Sequence, residues 1–167
     1  MVAPDFREKL YRLDLQSQMS LLQEAMRQDI DASKARGLER YDGDPTLLKL
    51  NALVTLRYAC VFDGPGVQEL LKRACLLMNL VIKAGGIPDG TRSMCSSLET
   101  YGELLVLLDS EQEFIELLFN RSTRPESAAY LRVLHQKGMK ALRDQVVDST
   151  LRSIPAFSSG PLPGERW

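Results

Sequence analysis

Apolar positions along this chain advance in steps of three and four, and one stretch is apolar on every side. Leu15, Met19, Leu22, Met26 and Ile30 follow at steps of four, three, four and four, and Phe6, Leu10 and Leu13 extend the same face backwards. No Gly or Pro interrupts residues 5 to 36. The spacing therefore predicts one long amphipathic helix over about 5–36, with Gly37 as its stop. The next stretch, "LLKLNALVTLRYACVF" from 47 to 62, carries only Lys49 and Arg57 as charges. A helix apolar all round is one wrapped by other helices. Asp44 caps it and Pro45 occupies its first position.

After "DGPG", Val67, Leu70, Leu71, Ala74, Cys75, Met78, Val81 and Ile82 mark a third helix, ended by Ala84-Gly85-Gly86. "IPDG" connects it to a fourth, marked by Met94, Leu98, Tyr101, Leu105 and Leu108. Ser110 and Glu113 have the spacing of a capping box for a short fifth, bearing Phe114, Leu117 and Leu118. Pro125 opens a sixth, with Leu131, Leu134, Leu142 and Val146 on its apolar side.

No segment alternates as a half-buried strand does, and no fixed repeat period links the helices. The expected fold is all-α: a compact bundle of about six helices around a hydrophobic central hairpin formed by the second and third. Residues 1–152 form this domain. Residues 153–167, with three prolines, two glycines and no periodicity, are expected to be a flexible tail.

Composition changes this picture little. At 167 residues the chain is long enough to bury a core without disulfides or metal. With 21 basic against 22 acidic residues it has no global field for nucleic acid or membrane. The 47–62 run is bounded by Asp-Pro and Asp-Gly-Pro-Gly and interrupted by Lys49, Asn51 and Arg57, so it is too short and too charged for a membrane span. Three widely spaced cysteines, Cys60, Cys75 and Cys95, read as reduced thiols. The charged N-terminus carries no signal-peptide pattern. A cytoplasmic or nuclear protein, not a secreted one, is expected.

The search for chemistry is short. His135 is the only histidine, and no Gly-x-Ser-x-Gly, His-Glu-x-x-His or Walker pattern occurs. Cys95, near a helix start, is the most accessible thiol, with no histidine close in sequence to act as its base. "DIDASK" from Asp29 begins like a calcium loop, but Lys34 stands where the turn requires glycine. Asp42 and Asp44 have the separation of a carboxylate pair, which turn and cap chemistry explain without a metal. No catalytic residue, metal site or cofactor is expected, and the reading is non-enzymatic.

Charge is segregated along the sequence. From Ser93 to Asn120 there are six acidic residues and no Lys or Arg; from Arg121 to Arg143 there are six basic residues against Glu126 alone. Arg132, Lys140 and Arg143 lie at offsets that put them roughly on one face of a continuous sixth helix. Attraction between neighbouring helices of opposite charge accounts for this. A face for RNA or an acidic partner is the sharper alternative, although no aromatic residues are interleaved with the basic ones.

The first helix offers the other candidate surface. Phe6, Leu10, Leu13 and Leu15 have a spacing that resembles a leucine-rich nuclear export signal, as core-packing amphipathic helices also do. A continuous helix over 5–36 would run about 48 Å, longer than the roughly 38 Å diameter of a domain this size. It must overhang or break. An overhang would expose Phe6, Leu10 and Leu13 as a partner-binding strip; a kink near Ser17 and Ser20 would fold them back. The expected function is a helical adaptor or regulatory protein that binds another protein or a second copy of itself through its N-terminal helix. The alternative is a nucleic-acid-associated protein using the basic sixth helix.

Overall fold

Pro45, whose missing N–H is no loss in a first turn, opens the helix that organises the molecule. The computed structural model describes residues 5–35, 45–83, 95–121 and 125–153. Among them are eight helices and no strand. These are α1 (Phe6–Tyr11), α2 (Leu15–Ala35), α3 (Pro45–Val61), α4 (Pro65–Lys83), α5 (Cys95–Leu107), α6 (Glu111–Arg121), α7 (Pro125–Lys137) and α8 (Met139–Ser153). The proposed stops and turns at Gly37, Asp42–Asp44, Ala84–Gly86 and "IPDG", and the tail from 154 onward, lie outside the described residues.

The all-α class holds, and the all-round apolar stretch is its centre. From Leu47 to Arg57 every residue except Lys49 is buried. Helix α3 is surrounded by α2, α4, α5 and α8. Its hairpin companion α4 is buried on one side only: Val67, Leu71, Ala74, Cys75, Leu77 and Met78 face inward, while Leu76 is 58% exposed. The core therefore has one central helix rather than a central pair. Among the described residues no helix is long and apolar enough to cross a membrane.

The polar residues of α3 are met by α2. Gln23 Nε2 donates to Asn51 Oδ1 at 3.1 Å, and the Thr55 hydroxyl points at Met19 Sδ at 3.8 Å. Arg57 is 4% exposed and engaged within the fold, and burial lowers its pKa. Such contacts fix the register of α2 on α3, because a slip would leave buried polar groups unmatched.

Two expected helices are each divided. The 5–36 helix breaks at Arg12–Asp14, ahead of the serines. The Ser17 N–H donates to Asp14 Oδ1 at 2.8 Å, the N-cap bond that starts α2. Gln18, itself buried, donates to the Leu10 carbonyl at 3.0 Å, satisfying the end of α1. The break removes the overhang: Leu10 is fully buried, and Phe6 packs half-buried against the core.

The sixth helix of the sequence reading is α7 and α8, divided at Gly138 with φ +90°. The Gly138 N–H donates to Leu134 O at 3.0 Å, closing α7, and Leu142 N–H donates to Gly138 O at 3.2 Å, opening α8. Helix α8 then packs on α3 and α5, whereas α7 packs on α6. The acidic segment (α5, α6) is thus lodged against the basic one (α7, α8), as opposite charge favours.

Two residues past the end of α5, Asp109 has φ +60°. The Asp109 N–H donates to Val106 O at 3.1 Å and the Ser110 N–H to Leu105 O at 2.9 Å, a Schellman closure. Ser110 O then accepts the Phe114 N–H at 3.0 Å to begin α6. Gly102 lets α6 lie close, since a Cβ there would sit 3.3 Å from Leu118 Cδ2 and 3.4 Å from Phe114 Cε2.

Candidate functional site

Helices α2 and α4 both lie on α3 and barely touch each other. Between them runs a half-open trough of about 510 Å³. One wall is a polar stripe of α2, Gln16, Ser20, Gln23, Glu24 and Arg27, with Met19 at its base. Arg73 of α4 stands on the other wall, and Leu70 of α4 and Tyr58 of α3 lie between the two walls. The Tyr58 ring is held by stacking on Phe62, with centroids 4.5 Å apart and 30° between planes. The stripe from Gln16 to Arg27 spans eleven helical steps, about 16 Å or three turns.

The apolar residues Met19, Tyr58 and Leu70 sit at the base of the trough, and the exposed polar groups rim it. Arg27 is paired with Glu24 one turn away. Arg73 is half-buried, and no ion-pair or hydrogen-bond partner reaches it among the described residues. An apolar base with a polar rim and one uncommitted guanidinium suits a peptide that brings a carboxylate.

The proposed N-terminal surface is dispersed. Leu10 is in the core, while Phe6 and Leu13 are half-buried on either side of it. They do not form the exposed strip expected of an overhang. Arg132, Lys140 and Arg143 are all exposed, but Arg132 is on α7 and the other two on α8, so their spacing along one continuous helix no longer describes them.

The thiols are placed for packing. Burial pushes the Cys60 thiol up to about 11, although the nearby Thr150 hydroxyl pulls the other way; Glu103 raises it further and Arg143 opposes. Burial, then Glu113, pushes Cys75 from 9.0 to about 12. The Cys95 backbone begins α5, and its side chain lies outside the described residues. At pH 8 the thiolate fractions imply alkylation of Cys60 about 100-fold slower, and of Cys75 about 1,000-fold slower, than of the unfolded thiols. Mass-spectrometric timing of iodoacetamide labelling with and without urea reads this directly.

The same shifts set an alkaline limit. Cys60, Cys75 and Tyr101, also raised by burial, hold their protons more tightly folded than unfolded. Their contribution is complete below pH 9 and falls as pH rises towards 12, so the urea midpoint should drop between pH 8 and 10.5.

The remaining candidates are quickly placed. His135 is exposed in the last turn of α7. Asp29 to Ala35 is helical, part of α2 rather than a metal-binding loop. Among the described residues no three His, Cys, Asp or Glu converge as a metal site. The sequence reading missed the trough, whose polar stripe at steps of four, three and four looks like any solvated helix face. No family model, curated protein or solved structure matches the chain.

Proposed function

We propose that this protein is a non-enzymatic adaptor or regulatory module that holds an acidic amphipathic helix of a partner protein in the trough between α2 and α4. The observation that carries the reading is a groove about three turns long with Met19, Tyr58 and Leu70 at its base and, on one wall, Arg73, which meets no ion-pair or hydrogen-bond partner among the described residues. The apolar face of a partner helix would cover the base, and its carboxylate would meet Arg73. The N-terminal region takes part through the outward stripe of α2, not through Phe6, Leu10 and Leu13. Two free thiols within the fold, Cys60 and Cys75, support a reducing compartment, cytoplasm or nucleus.

The test is a titration of the labelled protein with a designed acidic amphipathic peptide of about 14 residues, followed by amide NMR shifts. Shifts are expected at Gln16 to Arg27, Tyr58 and Leu70 to Arg73. Arg73→Glu should weaken binding by about tenfold or more, the loss of one charge-assisted hydrogen bond. Ser20→Trp, which fills the trough from an exposed position, should abolish it with the fold intact. Shifts that map elsewhere, or none at all, would remove the trough from the function.

A further inference from the structure

Four exposed cations flank the elbow between α7 and α8, none of them part of the trough. Arg132, Lys137, Lys140 and Arg143 are all exposed, and no Asp or Glu occurs from Ala128 to Arg143. Elsewhere, exposed cations are neutralised by a carboxylate one turn away: Lys9 by Asp5, Arg12 by Glu8, Arg27 by Glu24, Lys72 by Glu69 and Arg152 by Asp148. The four elbow cations have no ion-pair partner among the described residues. Even Asp144, four positions beyond Lys140 and itself exposed, is not bonded to it.

We propose that this elbow binds the phosphate backbone of a nucleic-acid duplex without reading its sequence. A protein partner would need an apolar centre. The elbow offers none that is exposed: Val133 and Met139 are half-buried, and Leu151 lies twelve positions beyond Met139 along α8. Exposed ion pairs between proteins contribute little by themselves. A duplex, in contrast, releases condensed counterions for each phosphate neutralised, and exposed flexible cations suffice for that. Single strands are disfavoured because they are held by stacking on aromatic rings. From 128 to 153 the only Phe, Tyr or Trp is Tyr130, half-buried and already engaged within the fold. The break at Gly138 sets the axes of α7 and α8 apart, so the four charges are not strung along one helix.

The footprint is small, because the exposed acids Glu111, Glu113 and Glu116 stand on α6, against which α7 packs. Four neutralised phosphates give a slope of log K against log salt near −3.6, or about a 150-fold loss of affinity between about 50 and about 200 mM salt. The experiment is fluorescence anisotropy of the full chain with a labelled DNA duplex of about 20 base pairs across that range. Polyglutamate and a single strand of equal length serve as competitors. Lys140→Glu with Arg143→Glu should halve the slope while circular dichroism is unchanged, and Arg73→Glu should leave it as it was. Absence of duplex binding at low salt would overturn the proposal, as would an unaltered slope in the double variant. Competition by polyglutamate or single strand as effective as by duplex would also overturn it, assigning the elbow to an acidic protein or to single-stranded nucleic acid.

Discussion

Val54→Asp is expected to abolish the folded, soluble protein. Val54 is fully buried on α3, the helix that α2, α4, α5 and α8 all contact. A carboxylate there loses its hydration, at an effective cost of several kcal/mol even after local relaxation. It also brings unmet hydrogen-bond acceptors and displaces neighbours in a close-packed interior. A domain of this size has only about 5–15 kcal/mol of stability to lose. Val54→Ala separates charge from packing: it leaves a small cavity, should cost about 2 kcal/mol and should still fold. Soluble expression and a cooperative melt for Val54→Asp would show that α3 is not the centre.

Leu10→Ala is expected to destabilise the protein by about 3 kcal/mol, read as a fall in urea midpoint at constant slope. The magnitude follows from complete burial of a leucine in a six-residue helix held by few other contacts. Its backbone carbonyl accepts from Gln18 and is kept by alanine, so the loss is one of packing. Had Leu10 projected from an overhanging helix, the same change would leave stability alone and weaken association. An unchanged midpoint would return α1 to the surface and restore the interface reading of Phe6, Leu10 and Leu13.

The positions of α3, α4, α5 and α6 were legible because their starts and stops are local. Pro45, the Gly-Pro-Gly turn and Ser110 act within a few residues, and the apolar positions between them keep one period. The break between α1 and α2 also left a trace. Leu13 and Leu15 are two positions apart, a step that one continuous helix cannot place on a single face. What decides the matter is a polar competition: Asp14 offers its carboxylate to the Ser17 N–H, so a new helix starts there. Between α7 and α8 the signal was Lys137 followed by Gly138, the pattern of a basic last turn and a glycine C-cap. A lone glycine is tolerated within helices, which is why the apolar period carried the reading past it.

The trough was beyond the reach of the sequence. Gln16, Ser20, Gln23 and Arg27 are polar at helical spacing whether they face open water or a groove. The difference arises only because α2 and α4 rest on α3 instead of on each other. Arg73 gains its place on the trough wall for the same reason, since that depends on which helices stand beside it.

The placement of α8 against α3 governs when the molecule can finish folding. Cys60 of α3 and Thr150 of α8 are about ninety residues apart in the chain, yet their helices pack together. At a synthesis rate of about 5–20 residues per second, α3 emerges from the ribosome roughly 5 to 18 seconds before its last neighbour. Throughout that interval one flank of α3, the apolar helix at the centre of the core, is uncovered and open to chaperones or to other nascent chains. A ribosome stalled before Met139 would hold an incomplete core, protease-sensitive along α3, whereas release of a few dozen more residues would close it.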